Sequence, residues 1–105
     1  MTQRRRLDNR RASLTFNFEC GPHSYTATVS YFPDTDDLAE IFLGNGRAGS
    51  DIDAAAKDSA VVASLALQHS VPVETIRKAL LRDPRGVASS PLGRALDILQ
   101  KDHKP

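Results

Sequence analysis

The chain is expected to fold as α+β, with a three-stranded antiparallel meander followed by a long central helix and two shorter helices packed on one face. Three observations predict this. Residues 12–43 fall into three short runs in which apolar and polar side chains alternate with period two. Only brief turn segments separate the runs, so consecutive strands must lie side by side and antiparallel. From Ser50 onward the apolar spacing changes to that of a helix.

In the first run, residues 12–20, Leu14, Phe16 and Phe18 share one face and Thr15, Asn17 and Glu19 the other. Gly21-Pro22-His23 supplies a turn. The second run, residues 24–32, sets Tyr25, Ala27, Val29 and Tyr31 opposite Thr26, Thr28 and Ser30. After the turn Pro33-Asp34-Thr35-Asp36-Asp37, the third run, residues 38–43, points Ala39, Ile41 and Leu43 to the core. Its other face carries Leu38 and Phe42 around Glu40, close to Phe32. Helices on one side cannot bury an apolar group on the other. Phe32, Leu38 and Phe42 are therefore an expected contact surface, for a homodimer or for docking on a larger protein. A merely solvated sheet face is the plainer reading.

The long helix is expected over residues 50–69. Ser50 can cap it, and Asp51 and Asp53 place negative charge in its first turn, where the helix dipole favours it. Ile52, Ala56, Ser59, Ala63 and Ala66 form one stripe, widened by Ala55, Val62 and Leu67. After Asp58 the helix is apolar on nearly every side, so most of its circumference is expected to be covered. It is too short and too charged at its start to cross a bilayer. Pro72 suits the start of a second helix, residues 72–82, burying Val73, Ile76, Ala79 and Leu80. Asp83-Pro84-Arg85-Gly86 breaks the chain. Ser90 caps and Pro91 opens a last helix with Leu92, Ala95, Leu96 and Leu99 inward, and a frayed tail is expected over residues 101–105.

With 105 residues the chain has room for one domain, expected over residues 12–100. The overall charge of +1 hides an asymmetry: residues 1–11 hold five arginines against Asp8, a net of +4, which leaves −3 for the rest. That basic arm is expected to be disordered, and it can also touch nucleic acid or an acidic partner. The lone Cys20 allows no internal disulfide, and no apolar run follows the arginines, so a cytoplasmic protein without signal peptide or membrane anchor is expected.

Several segments form a familiar ordered set. Tyr31-Phe32-Pro33-Asp34, Ala39-Glu40-Ile41-Phe42-Leu43, Gly46-Arg47-Ala48-Gly49-Ser50-Asp51 and the run from Ser64 through Gln68 and Val71-Pro72 to Glu74 resemble the TSCPD domain. That domain is found near the C-terminus of adenosylcobalamin-dependent ribonucleotide reductases and as small free-standing proteins. The resemblance covers residues 24–99 and implies an accessory or orphan relative of the domain. It does not imply the reductase, which needs a large barrel, a thiyl-forming cysteine and a cysteine pair that supplies electrons. One cysteine cannot make such a pair. The isolated chain is expected to reduce no nucleotide and to need no cofactor.

Two stretches could carry binding chemistry. Gly46 and Gly49 permit backbone shapes that aim amide hydrogens outward, Arg47 adds charge, and Ser50 begins a helix, so residues 46–50 are a candidate seat for a nucleotide or nucleic-acid phosphate. The plainer reading is a strand-to-helix turn whose Ser50 only caps. Residues 63–80 read like a helix-turn-helix, with Thr75, Arg77, Lys78 and Arg82 facing a DNA groove and Arg4, Arg5 and Arg6 reaching the backbone. Against that stands ordinary helix packing. Cys20 and His23 make only half a zinc site, because His69 and His103 lie on other elements, and Asp34, Asp36 and Asp37 read as a solvated loop. No metal is expected.

Overall fold

The computed structural model describes residues 3–7 and 12–102. Strands β1 (Ser13–Cys20), β2 (His23–Tyr31) and β3 (Leu38–Gly44) form one antiparallel sheet in the order β1-β2-β3. Helices α1 (Asp51–Gln68), α2 (Val73–Ala79) and α3 (Pro91–Asp102) follow. This is the α+β meander that the alternation predicts. The register aligns the apolar positions: Phe18 faces Tyr25, Phe16 faces Ala27, and Val29 lies between Leu14 and Ile41. Tyr25, Ala27, Val29, Ile41 and Leu43 are buried against Leu92, Ala95, Leu96 and Leu99 of α3 and the alanines of α1, and Ala39 is buried as well. The outer face is polar where predicted. Thr26 donates to Asn17 (2.8 Å), and the Thr15 and Thr28 hydroxyls are 3.0 Å apart.

The long helix is seated differently from expectation. Its buried stripe is Asp53, Ala56, Ala60, Ala63, Ser64, Leu67 and Gln68, while Ile52, Ala55, Val61, Val62 and Leu65 are exposed. Val62 is 67% exposed and Val61 53%. The cause is the position of α1 along the free edge of β3, where only one side meets the protein. β3 pairs with β2 on its inner flank, so every second backbone group points outward unpaired. Polar side chains of α1 satisfy those groups. Ser64 Oγ accepts from Ile41 N (2.9 Å) and donates to Ile41 O (3.0 Å), and Gln68 Nε2 donates to Ala39 O (3.1 Å). At the far end Asp53 Oδ1 accepts from Asn45 N (2.8 Å). Alanines between these positions allow the close approach. A helix sheathed on most sides is thus corrected to one that caps a sheet edge.

Two local corrections follow. A register shift between Ser30 and Tyr31 sets Tyr31 opposite Leu38, and Leu38 packs against the core cluster instead of the outer face. The second helix ends at Ala79 rather than at residue 82, because Leu80 turns extended, and Ala79 is exposed. Beyond it Arg82 pairs with Ala88 around a turn in which Gly86 has φ of +84°. Of the arm expected to be disordered, residues 3–7 are described, and Arg4 and Arg5 contact the end of α1. The rest of it, Arg10 and Arg11 included, lies outside the described residues, as do His103 and the last two positions of the tail.

Candidate functional site

The contacts of residues 3–7 converge on the C-terminal end of α1. Helix α1 closes with Ser70 at φ of +69°, Ser70 N donating to Leu67 O (3.1 Å) and Val71 N to Ala66 O (3.0 Å). This leaves the carbonyl of Gln68 without a partner from its own helix, and Arg5 N donates to it at 2.7 Å. The Gln68 side chain is 1% exposed and used at both ends: its Nε2 holds Ala39 O, and its Oε1 accepts from Arg4 Nε at 2.6 Å. The Arg5 guanidinium carbon lies 3.6 Å from the centroid of the Phe32 ring, and Nη2 donates to both carboxylate oxygens of Asp34 at 2.8 and 3.0 Å. Beside Arg5 runs a groove of about 320 Å³ whose walls include Leu38, Leu67, Val71 and Val73. Two consecutive arginines are therefore held by an aromatic face, a carboxylate, a main-chain carbonyl and a side-chain amide.

This arrangement scatters the expected contact surface. Phe32 is buried (3% exposed) beneath Arg5, and Leu38 faces the groove and the core, so of the three residues only Phe42 stands out from the sheet, at 53%. Reading the strands as regular missed the bulge. Gln68 was legible only as a member of a motif, and nothing in its neighbours revealed that both ends of its amide would be used.

The glycine loop is a capped turn. Gly46 and Gly49 do adopt positive φ, +81° and +86°. The Ser50 hydroxyl accepts from Asp53 N (3.1 Å), and the Arg47 amide donates to Asn45 Oδ1 (3.2 Å). The buried Asp53 carboxylate takes Asn45 N and pairs with Lys57 at 2.8 Å. The Lys57 hydrogen bond, together with that from Asn45 N, holds the Asp53 carboxyl below its ordinary range. The Ser50 hydroxyl and the amides of Asn45 and Arg47 are thus engaged within the turn.

Helix α2 is likewise turned inward. Asp97 of α3 accepts from Arg77 Nε (3.0 Å) and from Arg82 Nη1 and Nη2 (both 2.8 Å), while Arg77 also pairs with Glu74. The hydrogen bonds from Arg82, then those from Arg77, hold the Asp97 carboxyl below the usual carboxylate range against the opposing effect of burial. Of the four residues expected to face a DNA groove, Arg77 and Arg82 are spent on Asp97, and Thr75 and Lys78 are exposed. Cys20 and His23 sit opposite each other across the β1–β2 turn, and among the described residues no three potential metal ligands gather.

Comparison with known proteins gives a partial likeness. The chain is 33% identical over 72 residues to the vitamin B12-dependent ribonucleotide reductase of Streptantibioticus cattleyicolor, a stretch that is 69% of this chain and 12% of that protein. It matches the enzymes of the same name from Streptomyces clavuligerus and Streptomyces coelicolor at the same identity, over 7% of each. The chain thus spans 7–12% of the length of the curated relatives it matches. No family model matches it, and no solved structure matches. No helix among the described residues is long and apolar enough to cross a membrane.

Proposed function

We propose that this chain is a non-enzymatic binding or assembly module, related to the TSCPD domain of vitamin B12-dependent ribonucleotide reductases. The observation that carries the reading is the likeness itself: 33% identity over 72 residues, confined to 7–12% of much longer enzymes. A segment that small is a part to which other parts attach. The described polar clusters agree with that role, since Arg77 and Arg82 are balanced by Glu74 and Asp97, and Lys57 by Asp53. What the molecule offers a partner is apolar surface. Phe42 projects from an otherwise polar sheet face, and Val61, Val62 and Leu65 project from α1.

Sedimentation of the purified chain tests this. A dimer is expected, converted to a monomer by Phe42→Glu, a change at an exposed position that leaves the melting transition in place. Incubation with ribonucleoside diphosphates, adenosylcobalamin and a dithiol is expected to yield no deoxynucleotide. Appearance of that product would overturn the reading. A wild-type chain monomeric at high concentration would remove Phe42 as the contact.

A further inference from the structure

We propose that Phe32, Asp34 and the C-terminal end of α1 form a recognition seat for two adjacent arginines on an extended peptide, filled in cis by Arg4 and Arg5. The seat goes beyond the assembly role above and does not depend on it.

The geometry separates the seat from its occupant. Phe32 is fixed by its own turn, where Phe32 N donates to Asp37 O and Asp36 N to Phe32 O, both at 2.8 Å. Gln68 is fixed by its bond to Ala39 O. None of these bonds involves the arm, so ring, carbonyl and amide are in place before an arginine arrives, and the exposed Asp34 carboxylate stands beside them. The pieces match the chemistry of arginine and not merely its charge. A flat guanidinium lies on the Phe32 ring while its edge meets Asp34, a combination that a lysine ammonium cannot reproduce. The main chain is read as well, since Arg5 N donates to Gln68 O at the helix end. The preceding side chain is read through Gln68 Oε1.

The occupant is held in a way that lets it leave. The Arg5–Asp34 pair is open to water, the Asp34 side chain being 68% exposed and that of Arg5 34%, so salt weakens it. Beyond Arg5 the groove continues between Leu67, Val71 and Val73, past what the arm fills. The arm holds the advantage of being tethered, which raises its effective concentration at the seat.

The test uses the full-length chain with Arg4→Ala and Arg5→Ala together, which empties the seat, and a fluorescent peptide of sequence Thr-Gln-Arg-Arg-Arg-Leu-Asp, copied from residues 2–8. Anisotropy is expected to show binding to the double variant that is at least tenfold tighter than to the wild type. Adding Asp34→Asn, at an exposed position, is expected to weaken it at least tenfold again, and a peptide with lysines for arginines is expected to bind no better than that. Equal binding to wild type and double variant, indifference to Asp34→Asn, or no binding at millimolar peptide would each overturn the proposal.

Discussion

Ser64 and Gln68 place polar atoms at buried positions because an edge strand demands them. A carbonyl or amide left unpaired beside alanines costs about 1–3 kcal/mol, more than a hydrogen bond gains when water is the alternative. Ser64 satisfies both backbone groups of Ile41 with one hydroxyl. Ser64→Ala orphans both, and is expected to lower unfolding free energy by about 1–3 kcal/mol in urea, with an unchanged dependence on denaturant. Asp97 shows the charged counterpart. Its carboxyl is held below the ordinary range, chiefly by Arg82, so the stability it contributes is fully present above the unfolded-state value near pH ~4. That contribution is lost as pH falls further, toward the depressed folded value. Asp97→Asn is therefore expected to lower the melting temperature at neutral pH, with the gap from wild type closing below about pH 4. A gap of constant size down to strongly acid solution would show that the carboxylate charge plays no part.

At the scale of elements, α1 does two jobs with opposite demands. One stripe must be small and hydrogen-bonding to lie against β3, and the remaining surface faces outward with Val61, Val62 and Leu65 uncovered. The helix ends in a Schellman turn whose left-handed residue is Ser70, where glycine is the usual choice. A side chain there carries steric strain of about 1 kcal/mol. Ser70→Gly is expected to stabilise the fold by about 0.5–1 kcal/mol in thermal unfolding, an increment reduced by glycine's greater freedom in the unfolded chain. The same turn frees the Gln68 carbonyl for Arg5, so an element boundary, not a special residue, creates the docking point.

For the whole molecule, the asymmetry of the sheet organises everything else. The β3 edge is closed by α1, its inner face by α3, and the turn between β2 and β3 by residues 3–7, while Phe42 is left outward. Phe42→Glu is accordingly the substitution expected to change assembly without changing the fold. The strands, their order and the inward side of α3 were legible because period and turn spacing are properties of consecutive residues. The exposed flank of α1 was not. Alanine and valine look equally apolar in sequence whether they meet a strand or water. The carboxylate–arginine cluster at Asp97 was also hidden, since Arg82 and Asp97 become neighbours only when the turn at Gly86 folds the chain back.

The alternation of residues 12–43 and the helical spacing after Ser50 determined the class of fold unaided, because those patterns express local backbone geometry. Which polar residues would be buried, which arginines would be neutralised and where the arm would lie were decided only in three dimensions. Each of those outcomes depends on which unpaired backbone groups and charges the folded chain brings within a few ångströms of each other.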